Sequence, residues 1–174
     1  MEIAIRVVED YEVDEETIAL LPSYRLEYST IAIDMNRTFG VRKTAMQLLK
    51  TACLDGGADY EGRRKSVLHK MGNIHKTPIP VDPKKYIYTF PTHAANHPDC
   101  AWLFLHHIRD VKEHPHDPRH SLVSFSNGYE TEVKASRASI LKQIERTSRC
   151  LVIFSRTFPM PTFPFAFFNN RVNF

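Results

Sequence analysis

Two sets of side chains in this sequence have the types and spacing that chemistry needs. The first is a run of histidines: seven of the nine lie between residues 93 and 120, at His93, His97, His106, His107, His114, His116 and His120. Cys100 stands among them, and His93-x3-His97-x2-Cys100 could supply three zinc ligands from one loop. Against that reading, no Cys-x-x-Cys pair occurs in the chain. Cys100-Ala-Trp102 also opens an apolar run suited to a strand, on which the neighbours His106 and His107 would point to opposite faces. Scattered loop histidines are the better reading, and a zinc-binding enzyme using residues 93–107 is the alternative.

The second set is cationic. Residues 37–85 carry Arg37, Arg42, Lys43, Lys50, Arg63, Arg64, Lys65, Lys70, Lys76, Lys84 and Lys85 against Asp55, Asp59, Glu61 and Asp82, a local charge of about +7. Residues 1–36 reverse the balance, with nine acids against Arg6 and Arg25, or about −7. The overall charge of +3 hides this segregation. A solvated surface normally mixes its signs, so a segregated basic block reads as an anion-binding face. The competing reading is that the two blocks pair with each other, and the residues alone leave the two evenly matched.

Templates for catalysis are missing. There is no glycine-rich phosphate loop, no Gly-x-Ser-x-Gly elbow and no His-Glu-x-x-His, and no spacing organises the serines, histidines and aspartates into a triad. No enzyme activity and no cofactor are expected. Zinc fingers, basic zippers and an obvious helix-turn-helix are not visible either. Cys53, Cys100 and Cys150 are far apart and odd in number, the pattern of reduced cytosolic thiols. No apolar run reaches the roughly 18 residues of a membrane helix, and the acids near the N-terminus argue against a signal peptide.

The elements that must position these residues make an α+β chain of one domain, largely antiparallel strands and hairpins with about three helices. The acidic opening segment reads as two or three short strands in a hairpin or meander, with its acids on a solvated face. Thr44–Cys53 is the clearest helix, since Ala45, Leu48, Leu49, Ala52 and Cys53 make one stripe and Gly56-Gly57 can cap its end. Asp59–Met71 is helical in pattern, with Gly62 weakening its first turn so that helix and loop are both open there. Tyr86–Phe90 and the run after Cys100 read as strands. In Leu122–Val133 a three-residue loop, Ser126-Asn127-Gly128, pairs Phe125 with Tyr129 and Val123 with Thr131, which keeps the apolar residues on one face. Ser136 is the N-cap of a further helix burying Ile140, Leu141 and Ile144.

Several of these stretches resemble a known family in order and spacing. Tyr60-x-Gly62-Arg63, His75-Lys76-x-Pro78-Ile79-x-Val81-Asp82-Pro83, Phe90-Pro91-Thr92, Cys100-x-Trp102, Phe125-Ser-Asn-Gly128 and Ser136-x-x-Ser139-x3-Gln143-Ile144-x-Arg146-Thr147 are similar to the pattern of the ComK family of bacterial competence transcription factors. The resemblance covers roughly residues 11–149. It implies a cytoplasmic, nucleoid-associated activator of DNA-uptake genes that binds double-stranded DNA at AT-rich promoters through the minor groove. It further implies a homo-oligomer, cooperation with RNA polymerase, and control by a Clp-protease adaptor; a protein-interaction module without DNA binding is the other alternative. The residues expected to meet DNA are Arg42, Lys43, Arg63, Arg64, Lys65, Lys70, Lys76, Lys84 and Lys85, with no catalytic and no metal site. Residues 1–149 are expected to form the DNA-binding domain. Residues 150–174, rich in proline and phenylalanine and outside the resemblance, either pack on the domain or are a foreign extension; the second is the favoured reading, and with it DNA binding and activation are expected to be weak.

Overall fold

The computed structural model describes residues 5–155, and the part of the expected tail beyond residue 155 lies outside them. Ten strands and three α-helices follow one another: β1 (Arg6–Val8), β2 (Thr17–Pro22), β3 (Thr30–Asp34), β4 (Thr38–Val41), α1 (Ala45–Asp55), α2 (Tyr60–Met71), β5 (Ile79–Asp82), β6 (Ile87–Pro91), β7 (Trp102–Phe104), β8 (Ile108–Glu113), β9 (Ser121–Phe125), β10 (Glu130–Val133) and α3 (Arg137–Ser155). They build a seven-stranded sheet in the order β1-β4-β3-β2-β7-β6-β5 and a three-stranded sheet in the order β10-β9-β8. The fold is α+β, as the patterning predicts.

Alternation along the central strands explains the layering. On β2, Leu20 joins the cluster of Leu48, Leu49, Ala52, Cys53, Tyr60 and Trp102, so α1 and the start of α2 cover that face of the large sheet. Ala19 and Leu21 point the other way, into a cluster with Phe90, Leu103, Val123, Val133 and Ile140. The small sheet and α3 therefore cover the opposite face. A strand covered on both sides has no place for a polar residue to reach water, hence the unbroken run Ile18-Ala-Leu-Leu21. A third cluster, Val67, Tyr88, Cys150 and Phe154, joins α2 to the far half of α3 around β6.

Local chemistry sets the element ends. Thr44 and Gln47 form a reciprocal capping box at α1. Helix α2 is continuous through Gly62, because the Asp59 carboxylate accepts the Gly62 N–H and steadies the turn the glycine would weaken. In the hairpin β9–β10, Thr131 pairs with Val123, Phe125 donates to the Tyr129 carbonyl at 2.9 Å, and Gly128 takes φ 84°, which is the three-residue loop read from the sequence.

Four expectations need correction. Strand β1 is not part of a hairpin; it pairs parallel with β4, Val8 opposite Val41. The acids from Glu9 to Glu16 then sit in the connection to β2 rather than on a strand face. His106 and His107 belong to a 3-10 turn, Leu105–His107, that interrupts the strand run so the chain can leave the large sheet for the small one. Leu141 is 39% exposed; the inner face of α3 instead runs Ile140, Gln143, Thr147, Cys150, Phe154, so two polar side chains occupy core positions.

Candidate nucleic-acid interface

The cations named from the sequence do not form one face. Register decides the fate of the first two: β1 lies alongside β4 with an offset that brings Val8 to Val41, and continuing the same ladder sets Glu9 beside Arg42 and Asp10 beside Lys43. Arg42 Nε is 3.3 Å from Glu9 Oε1, and the Lys43 ammonium is paired with Asp10. The Lys43 hydrogen bond, and after it the Tyr11 N–H donated at 2.8 Å, hold the Asp10 carboxyl below the ordinary carboxylate range. Lys85 reaches Glu15 at 3.8 Å, and Arg64 reaches Glu61 at 3.7 Å within α2. Pairing between the acidic and basic blocks is thus realised for Arg42, Lys43 and Lys85.

Arg63 turns inward, and its Nη2 donates to the Gly56 carbonyl at 2.6 Å, satisfying the end of α1. Lys84 is exposed on the 3-10 turn after β5, where its N–H is capped by Asp82 at 3.0 Å. Lys65 is exposed and makes no ion pair with the described residues. Lys70 lies 5.7 Å from the centre of the Phe154 ring, at the far end of α3. Lys76 enters a polar network.

That network gathers residues far apart in sequence. Lys76 has φ 56°, an uncommon left-handed conformation for a side chain of this size. Gln143, buried on α3, donates from Nε2 to the Lys76 carbonyl at 2.8 Å and to the Pro91 carbonyl at 2.9 Å. The Lys76 Nζ donates to Ser139 Oγ at 2.9 Å and to the Thr92 carbonyl at 3.4 Å. Arg146 Nη1 donates to the His75 carbonyl at 3.3 Å and to Gln143 Oε1 at 3.2 Å. Burial lowers the Lys76 pKa, and the charges of Arg146 and Lys142 lower it further, so three cations share this region. Sequence reasoning passed over Lys142, Arg146 and Arg149 because it counted charge in contiguous blocks. Their spacing of four and three, on one flank of a helix, was the available signal.

The histidines fall into separate local groups: His93 with His97, His106 with His107, and His114 with His116 and His120. His93 stacks on His97, centroids 4.7 Å apart, while Cys100 Sγ points at the His93 carbonyl at 3.6 Å. Burial pushes the Cys100 thiol up and the His93 imidazole down. His107 bridges the Glu15 carbonyl at 2.7 Å and Ser126, and His120 meets Glu132 at 2.5 Å. Among the described residues no group of three or more His, Cys, Asp or Glu side chains is arranged to hold a metal, so the spacing in 93–100 does not become a ligand set. Nor is any described helix long and apolar enough to cross a membrane.

Comparison with known proteins follows the same lines as the motifs. The family model described as ComK protein matches residues 8–158. The match passes Arg149, where the sequence motifs end, and takes in the remainder of α3. The chain is 32% identical over 142 residues to the competence transcription factor of Bacillus subtilis (strain 168), covering 81% of this chain and 73% of that protein. No solved structure matches.

Proposed function

The chain belongs to the ComK family, and on that premise we propose that it is a DNA-binding transcription regulator that activates competence genes, those serving DNA uptake in genetic transformation. The observation that carries this reading is the similarity to a competence transcription factor over most of both chains. It acts in the cytoplasm on nucleoid DNA. Its targets are AT-rich boxes read through the minor groove. Runs of A and T narrow that groove and deepen its negative potential, so lysine and arginine side chains recognise it by shape, without a base-edge code.

The working form is a homo-oligomer on paired boxes, assisting RNA polymerase and removed through a Clp-protease adaptor. Among the cations named from the sequence, Lys65, Lys70, Lys76 and Lys84 are the contacts this reading retains, and Arg64 is engaged by Glu61 of its own helix. Arg42, Lys43 and Lys85 already face carboxylates, and Arg63 is held by the end of α1.

A titration of the full chain against an AT-rich and a GC-rich duplex of equal length tests the reading. The AT-rich duplex is expected to bind more tightly, and an added minor-groove ligand is expected to compete. Equal affinity for the two duplexes, or none for either, defeats it.

A further inference from the structure

We infer that one flank of α3, carrying Lys142, Arg146 and Arg149 and extended by Lys76, is the surface that takes the phosphate backbone of double-stranded DNA. The inference rests on the DNA-binding reading above and deepens it by naming the face.

Spacing comes first. Residues 142, 146 and 149 are four and three apart, so their side chains leave the helix on the same side. The helix buries an adjacent face through Ile140, Gln143, Thr147, Cys150 and Phe154, which leaves this flank to solvent at its outer edge: Lys142 and Arg149 are exposed and Arg146 is half-buried. The flank covers about 10 Å of helix axis. Duplex DNA presents about six phosphate charges over such a length.

Charge pairing comes second. Seven cations elsewhere stand beside acids: Arg42 with Glu9, Lys43 with Asp10, Arg64 with Glu61, Lys85 with Glu15, Lys112 with Asp110, Arg119 with Asp117 and Lys134 with Asp99; Lys50, Lys65, Lys70 and Arg109 have no ion pair among the described residues and stand on other elements. Lys76, Lys142, Arg146 and Arg149 have no carboxylate at ion-pair distance among the described residues, although Glu145 is on the same helix. Like charges at helical spacing destabilise an isolated helix. Glu145 lies at i+3 from Lys142 and i−4 from Arg149, and a group in which four cations outnumber that one acid suits a polyanion.

Order comes third. Arg146 is tied to the His75 carbonyl and to Gln143, and Gln143 in turn holds the Lys76 carbonyl. Two of the three ammonium hydrogens of Lys76 have acceptors, Ser139 and the Thr92 carbonyl, so one remains to donate to a phosphate oxygen. Side chains fixed before binding lose little freedom when the anion arrives.

The test uses the full chain and an AT-rich duplex, with affinity measured by fluorescence anisotropy across a salt series. Lys142→Ala combined with Arg149→Ala removes two exposed charges whose side chains hold nothing else in the fold. Loss of two phosphate contacts is expected to weaken binding and to flatten the log–log salt slope by about 1.8. Lys50→Ala with Arg109→Ala, equally charged and exposed on α1 and β8, should leave the slope unchanged. Lys142→Gln with Arg149→Gln repeats the measurement with side chains of nearly native length, and circular dichroism checks that each variant is folded. A slope unmoved by either ridge variant, or moved equally by the Lys50/Arg109 pair, overturns the inference while the DNA-binding reading stands. A wild-type chain that binds no duplex at low salt overturns both.

Discussion

Gln143 is buried in the inner face of α3 and directs its amide nitrogen at two main-chain carbonyls, those of Lys76 and Pro91. The Pro91 carbonyl is buried and has no water to turn to if the amide is removed, while the Lys76 carbonyl is only partly buried. Gln143→Leu, which keeps the volume and discards the donor, is expected to cost about 1–3 kcal/mol for each acceptor left unsatisfied. It also frees Lys76 to abandon its left-handed backbone. A urea titration that finds a loss below about 0.5 kcal/mol would mean that the amide is replaceable. At this scale the sequence is a poor guide: a glutamine at an inward position of a helix looks like an error in the apolar stripe until its two acceptors, one before β5 and one ending β6, are placed beside it.

Among the elements, α3 and the acidic connection carry the most consequence. Helix α3 continues past Arg149 to Ser155 and buries Cys150 and Phe154 against Val67 and Tyr88. Truncation after Arg149 removes that contact, and the expected outcome is a loss of at least about 3 kcal/mol, the usual cost of deleting a buried phenylalanine. An unchanged melting transition in the truncated chain would count against the packing described. In the connection, Glu9, Asp10 and Glu15 stand against cations at the surface, where water and salt screen such pairs and they add little to stability. Glu9→Gln, Asp10→Asn and Glu15→Gln together should leave stability nearly intact and raise affinity for duplex DNA at low salt, as read by anisotropy; an unchanged affinity would show that these cations stay clear of DNA. The sequence announced α1, α2 and the β9–β10 register, all governed by contacts within a few residues. It did not announce the parallel β1–β4 pairing, because the partners lie more than thirty positions apart and no turn residue records them. The acid partners of Arg42 and Lys43 were hidden by that one gap: without the pairing, both cations look unopposed.

The whole molecule holds protons that its unfolded chain would release. Burial is the main cause in each case: it pushes the Cys53 thiol to about 11 and the Cys150 thiol to about 12 from the ordinary 9.0, and Tyr60 to about 12 from 10.0. Tyr11 and Tyr88 move upward for the same reason. Because the folded values lie above the unfolded ones, their contribution is complete below pH 9 and is lost as the pH rises from there towards 12. Urea midpoints should therefore fall steadily between about pH 9 and 11; a flat profile would mean that these side chains reach solvent in the folded protein. The placement of α3 has a further consequence, in time rather than in energy. The helix closes over β5, β6 and β8, yet it follows all of them in the chain. A ribosome adds about 5–20 residues per second, so several seconds separate the emergence of β5 from that of α3. During that interval the nascent sheet presents an uncovered apolar face, and Phe90 and Leu103 must wait for Ile140. The helix assigned here to meeting DNA is therefore also the one whose late arrival ends the period in which the growing chain is exposed to aggregation and in need of a chaperone.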